Sequence, residues 1–112
     1  GLPLIKVGAS CIQVPVFFGD SLSVSVQTAA KVNLAAVSAA LDSADGIDLV
    51  DAGDYPTPVG DAVGQDAVYV GRLRSGIDDD CELGFWVTSD NVRKGAALNA
   101  VQVAELLIKD VA

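Results

Sequence analysis

A chain of 112 residues has room for one hydrophobic core, and its apolar half (51%) is dominated by Ala and Val, side chains that suit a helix-and-sheet domain. Seven Lys and Arg against fifteen Asp and Glu leave a net charge of −8, which repels phosphate backbones and anionic lipid surfaces and excludes nucleic acid and membrane as expected partners. With no His, the chain alone cannot build a Ser-His-Asp triad, a Cys-His dyad or a His-containing metal site, and no metal is expected.

Residues 6–18 carry Val7, Ile12, Val14, Val16, Phe17 and Phe18 and read as extended chain ending at Gly19-Asp20. Pro15 donates no ladder bond and so predicts an edge or a bulge. Leu22, Val24 and Val26 then alternate with Ser21, Ser23, Ser25 and Gln27, a period of two that predicts a strand with one wet face. Thr28 is placed to cap a helix over 29–43, with Val32, Leu34, Ala35, Val37 and Leu41 on its apolar side. Residues 47–50 read as a short buried strand, and 51–66, which holds Pro56, Pro58 and several glycines, as a loop. Two apolar runs, 67–74 and 83–88, flank an acidic tip and predict an antiparallel hairpin. After Asp90-Asn91 a second helix is expected over 93–109, its apolar face made by Ala97, Leu98, Val101, Ala104, Leu107 and Ile108.

The order β, β, α, β, β, β, α predicts an α+β fold: a two-layer sandwich with a mostly antiparallel or mixed sheet and both helices on one face, residues 1–112 forming a single domain. If the opposite sheet face carries the valines that the helices do not use, another chain or a missing domain must cover it, because a bare apolar sheet aggregates. Cys11 and Cys81 lie far apart without a pairing pattern and read as reduced thiols. The start shows no basic-then-apolar leader and no run approaches the roughly 20 apolar residues that span a bilayer, so a cytoplasmic location is expected. The abrupt start just before a strand suggests a truncated chain.

Few residues offer chemistry. Asp78-Asp79-Asp80 are consecutive and point apart in a turn, unlike the spaced ligands of a Ca²⁺ loop, and read as a solvated tip. Neither cysteine has an imidazole to activate it, so Cys11 reads as a small core residue and Cys81 as an ordinary thiol. Arg72 and Arg74 alternate on one strand face, where they either pair with nearby Asp or bind a carboxylate or phosphate. In Ser89-Asp90-Asn91-Val92-Arg93-Lys94-Gly95, amide and charged groups gather where a helix begins, either as a cap with surface ion pairs or as a place where free N–H groups meet a polar ligand.

Several of these segments, in this order, resemble the C-terminal part of the aspartate-semialdehyde dehydrogenase family: Cys11-Ile12-Gln13-Val14-Pro15-Val16-Phe17-Phe18-Gly19-Asp20-Ser21, Tyr55-Pro56-Thr57-Pro58, Val70-Gly71-Arg72-Leu73-Arg74, and the stretch from Asp90-Asn91-Val92-Arg93-Lys94-Gly95 to Gln102. The resemblance implies a two-domain, NADP-dependent enzyme with a Rossmann cofactor domain and an α+β domain that forms a homodimer. This chain would be the C-terminal portion of that second domain, its partners the N-terminal Rossmann domain of its own parent chain and a second copy. In the family a Cys thiolate attacks the carbonyl, a His moves the proton and an Arg holds the substrate carboxylate.

The family pattern Arg-Val-Pro-Val-x-x-Gly-His-Ser meets Gln13 at the Arg and Asp20 at the His. An amide lacks the charge-assisted two-bond grip of a guanidinium, while a carboxylate accepts a proton poorly at neutral pH and repels an anionic substrate and a thiolate. The family nucleophile lies upstream, and Cys11 matches a non-catalytic position. The resemblance is strongest to the Usg-type branch, in which the fold is kept and catalytic side chains are replaced, and it implies no catalytic residue here. Asn91 matches a position near the nicotinamide, so NADP binding is conceivable only in a longer parent. This chain has no Gly-x-Gly-x-x-Gly turn after a strand, so no cofactor is expected on it alone. A working dehydrogenase of altered substrate specificity is the alternative, and a free-standing binding domain a third reading.

Overall fold

The computed structural model of the protein describes the backbone of residues 5–50 and 52–111. Four strands make one sheet: β1 (Asp20–Gln27), β2 (Ile47–Leu49), β3 (Val68–Ser75) and β4 (Glu82–Ser89), in spatial order β1-β4-β3-β2. β4 runs antiparallel to both β1 and β3, while β2 runs parallel to β3. A parallel pair cannot be joined by a tight turn and needs a crossover of a dozen or more residues. Residues 50–67 supply it, and within them Pro58–Ala62 form a π turn. The predicted hairpin is present as β3 and β4, and the fold is α+β with a mixed sheet.

Each pleat face can be read from the register, because residues directly opposite one another share a face. Leu22, Val24 and Val26 stand opposite Val87, Phe85 and Leu83, and Val70 and Leu49 continue that row. Ser21, Ser23, Ser25 and Gln27 stand opposite Thr88, Trp86, Gly84 and Glu82, and Tyr69, Gly71, Arg74 and Asp48 continue the other. One face is apolar and the other polar, as the alternation in β1 predicts.

Helix α1 (Leu34–Asp42) packs on β2 and β3, with Leu34, Ala35 and Ser38 facing a cleft shared with Leu49 and Leu73 on the apolar side. It begins five residues later than expected. Thr28 does not cap it: its hydroxyl faces the carbonyls of Ala30 and Cys81 at 2.6 and 2.7 Å, and the Val32 N–H bonds the Asp80 carbonyl at 2.8 Å. These bonds hold 28–32 against the hairpin tip, bent at Ala29 and Ala30, and Asn33 becomes the N-cap through its side chain and the Ala36 N–H at 3.1 Å.

Three further expectations are corrected. Residues 6–18 contain no strand; the segment is exposed and bends at Pro15, with the Val16 N–H turned back to the Val14 carbonyl, so the described sheet has one strand fewer than predicted. The second helix opens as a π turn, Arg93–Ala97, before α2 (Leu98–Val111), whose principal packing is against that turn rather than the sheet. Val101, Leu107 and Ile108 are therefore exposed. The uncovered apolar surface also lies on the face that α1 partly occupies, where Leu22 is 60% exposed, and not on the opposite face. A radius of gyration of 15.6 Å, against about 13 Å for a compact domain near this length, reflects the same open layer.

Candidate functional site

The predicted site residues converge on one corner, where the chain enters β1. Gly19 takes φ +86°, and a Cβ there would stand 2.8 Å from the Pro58 Cβ and 3.1 Å from the Ser89 carbonyl oxygen, so the turn admits glycine alone without displacement. The amide oxygen of Asn91 accepts the Gly19 N–H at 3.1 Å. Thr88, fully buried, donates its hydroxyl to the Asp20 carbonyl at 3.0 Å and accepts from the Ser21 hydroxyl at 3.2 Å. The backbone of Asp20 is thus held on two sides, which fixes where its carboxylate is presented.

Asn91 is in turn placed by Asp90. The buried Asp90 carboxylate accepts N–H groups from Gly64 at 2.8 Å, Val92 at 2.9 Å and Arg93 at 3.0 Å. These bonds, Gly64 first, hold its carboxyl below the usual range. Arg93 reaches Asp66 in a two-nitrogen ion pair. Residues 89–95 therefore behave as a cap with a surface ion pair, and the Val92 and Arg93 N–H groups are used internally instead of awaiting a ligand.

Gln13, Asp20 and Asn91 line the same hollow of about 700 Å³, with Phe17, Phe18, Pro58 and Trp86 as apolar walls. Its described lining includes no Lys or Arg. Two amides and a carboxylate can exchange hydrogen bonds with a neutral or cationic group, but none is a nucleophile and none offers the forked donor that grips a carboxylate. Cys11 is exposed rather than in a core. Cys81 is half-buried near the hairpin tip, past the far end of the β1–β4 ladder and about 27 Å from Asp20 at ~3.4 Å per residue. Asp79 accepts the Cys81 N–H and a Gln27 amide N–H, which lower its pKa, and Asp80 pairs with Lys31, so the acidic run is a structural latch and not a cation loop. No group of three or more His, Cys, Asp or Glu placed to hold a metal occurs among the described residues. No described helix is long and apolar enough to cross a membrane.

A second hollow, of about 360 Å³, was not foreseen. It is lined by Ser23, Tyr55, Arg72, Arg74 and Trp86 on the polar sheet face. Arg72 and Arg74 do not alternate regularly, because Gly71 faces Trp86 and Arg74 faces Gly84, which leaves one extra residue on β3. Arg72 at φ 57° absorbs the bulge, and neither guanidinium forms an ion pair with a described carboxylate. The Trp86 indole N–H bonds the Pro56 carbonyl at 3.0 Å, and a Cβ on Gly71 would lie 2.6 Å from the Pro56 Cδ. Glycines inside both strands were the available signal, since a strand glycine marks a bulge or a close backbone approach.

Comparison with known proteins gives this geometry a context. A family profile described as "Semialdehyde dehydrogenase, dimerisation domain" matches residues 2–94. The chain is 59% identical over 107 residues to a USG-1 protein homolog of Azotobacter vinelandii, covering 96% of this chain and 32% of that protein. It is 48% identical over 108 residues to aspartate-semialdehyde dehydrogenase 2 of Vibrio cholerae, covering 96% and 32%. Among solved structures, that of a probable aspartate-semialdehyde dehydrogenase from Pseudomonas aeruginosa superposes with a TM-score of 0.84 at 62% identity, over 89% of this chain and 30% of that one. The chain spans about a third of the length of the curated relatives it matches.

Proposed function

Because this chain belongs to the semialdehyde dehydrogenase dimerisation-domain family, we propose that it is the C-terminal part of the dimerisation unit of a USG-1-type homologue that no longer performs dehydrogenase chemistry. The observation that carries this reading is the hollow lined by Gln13, Asp20 and Asn91 without a described cation. Family likeness puts a carboxylate-gripping Arg and a proton-moving His at positions 13 and 20, and neither an amide nor a carboxylate replaces them. The remaining role is association: a homodimer in which the chain also rests against the N-terminal, nucleotide-binding part of its own polypeptide. That the chain covers 32% of its relatives supports a preceding region of about twice its length. On the family likeness Asn91 would lie near the nicotinamide of NADP, with its oxygen held by the Gly19 N–H and its amide NH₂ left to donate, while the preceding region would supply the rest of the nucleotide site.

The test is to purify the full-length protein and assay aspartate semialdehyde with phosphate and NADP⁺ while measuring mass in solution. A dimer without turnover is the expected result. Turnover abolished by replacing an upstream Cys would overturn the loss of catalysis. The alternative, a dehydrogenase of altered specificity, is favoured by one observation: the hollow stays open and presents Asp20 beside two amides, a set suited to a neutral or cationic aldehyde. A panel of such aldehydes separates the two.

A further inference from the structure

We propose that the hollow lined by Gln13, Asp20 and Asn91 binds a small organic amine as its ammonium ion, with the apolar body of the ligand against Phe17, Phe18 and Trp86. The inference rests on the reading above that this hollow no longer turns over a semialdehyde, and it names the class of ligand taken instead.

The hollow has one sign of charge. Asp20 is the single ionisable side chain in its described lining. No described Lys or Arg pairs with it, since the ion pairs formed are Lys31 with Asp80 and Arg93 with Asp66. A carboxylate left unpaired beside apolar walls repels an anionic ligand and attracts a cationic one. The net charge of −8 on the chain acts in the same direction, concentrating cations near the surface and depleting anions.

The walls select an organic cation over a metal ion. Hard divalent ions take roughly six to eight oxygen ligands, whereas this lining offers one carboxylate and no cluster of metal-binding side chains occurs among the described residues. An ammonium needs few acceptors and is drawn to aromatic rings. Phe17 and Phe18 are 90% and 60% exposed, and Trp86 stands on the same hollow. The Asp20 carboxylate and the Gln13 amide oxygen can accept ammonium N–H groups. Asn91, whose oxygen is held by the Gly19 N–H, keeps its NH₂ group for an acceptor elsewhere on the ligand.

The site is set before a ligand arrives. Asn91 holds the Gly19 N–H at 3.1 Å, the Thr88 hydroxyl holds the Asp20 carbonyl at 3.0 Å, and the Trp86 indole is anchored on the Pro56 carbonyl at 3.0 Å. Groups fixed in advance lose less freedom on binding. A volume of about 700 Å³ also falls within the range of small-molecule sites.

The experiment is calorimetric titration of the full-length protein with three ligands of similar shape: phenethylamine, 3-phenylpropionamide and 3-phenylpropionate. The amine is expected to bind at least about tenfold more tightly than the neutral amide, and the carboxylate more weakly than either. Asp20→Asn removes the charge at nearly constant size. It should weaken the amine about tenfold and leave the amide unchanged, which also shows that the variant is folded. Gln13→Arg adds a cation to the lining without altering Asp20, and should weaken the amine while strengthening the carboxylate. Equal affinity for amine and amide, a preference for the carboxylate, or no binding of any of the three would overturn the proposal and leave the loss of catalysis standing. So would amine binding that neither variant weakens, which places the ligand elsewhere. Turnover of aspartate semialdehyde by the unaltered protein would overturn the reading on which the proposal rests.

Discussion

Asn91 and Gly19 meet at the end of the β1–β4 ladder, the asparagine side chain accepting the glycine N–H at 3.1 Å. The contact ties the segment that carries Gln13 to the turn before α2, so the shape of the larger hollow depends on it. Asn91→Ala should raise the exchange rate of the Gly19 amide several-fold, in line with the ~1 kcal/mol typical of one hydrogen bond. Asn91→Asp, which keeps an acceptor, should leave that rate nearly unchanged. Equal protection in the alanine variant and the parent would show that the bond contributes nothing.

Gly19 and Gly46 form a natural control pair. Both have positive φ, +86° and +76°, but a Cβ on Gly46 meets open space whereas one on Gly19 meets Pro58 and Ser89. Gly46→Ala should destabilise by about 1–2 kcal/mol through backbone conformation alone. Gly19→Ala should lose clearly more, because Pro58 or β4 must move as well. Chemical denaturation of the two variants measures the difference, and equal losses would mean the corner gives way freely.

Trp86→Phe keeps an aromatic ring on the polar face but removes the N–H that bonds the Pro56 carbonyl. A loss of about 1 kcal/mol is expected, since the carbonyl is left without that donor. Exchange should quicken at Ala62 and Val63, whose N–H groups close the π turn at 3.3 and 2.9 Å. Unaltered exchange there would separate the indole from the stability of the crossover.

Acid should loosen the turn before α2. Hydrogen bonds hold the Asp90 carboxyl below its ordinary value, so its folded pKa lies under its unfolded one. Its stabilisation is fully present above the unfolded value of about 3.9 and is lost as pH falls through the folded value. Asp79, lowered by the Cys81 N–H and then the Gln27 amide, acts in the same direction. Urea midpoints between pH 7 and pH 3 should drop below about pH 4 in the parent and less steeply in Asp90→Asn. Matching slopes would remove Asp90 as a source of acid sensitivity.

Gln13→Arg should restore a grip on small carboxylates without restoring turnover. A charge-assisted pair contributes about 1.5–3 kcal/mol, or roughly tenfold to a hundredfold in affinity. Titration of the full-length protein with a short-chain carboxylate reads this directly. Adding Asp20→His then asks whether catalysis failed locally; continued inactivity of the double variant would place further losses elsewhere in the protein.

The parts legible in the sequence were those set by a local rule. The Ser/Val alternation of residues 21–27 fixed a two-faced strand, and the paired apolar runs around an acidic tip fixed the hairpin. The failures came where distant partners decide. Thr28 is a good helix cap by type, but the Cys81 carbonyl on the hairpin holds its hydroxyl and Asn33 caps instead. Residues 6–18 have strand-like composition but form no ladder with a described strand. The parallel placement of β2 depends on the crossover rather than on its own residues. The resemblance to the dehydrogenase family named Gln13, Asp20 and Asn91, and the fold sets them around one hollow. Alternation names Arg72 and Arg74, but the hollow they share with Tyr55 and Trp86 escapes it, because a one-residue bulge changes a face without leaving a periodic trace.

The β1–β4 ladder joins Asp20 to Ser89 and Gln27 to Glu82, partners 69 and 55 positions apart. On a ribosome, β1 emerges early and must wait as a lone, apolar-faced ribbon until β4 has been made, whereas β3 and β4 can zip together as soon as their short turn closes. Pairing between such distant segments is slow, and an unpaired ribbon of this kind readily joins a neighbouring chain. The serines that line one side of β1 leave that waiting segment half wettable.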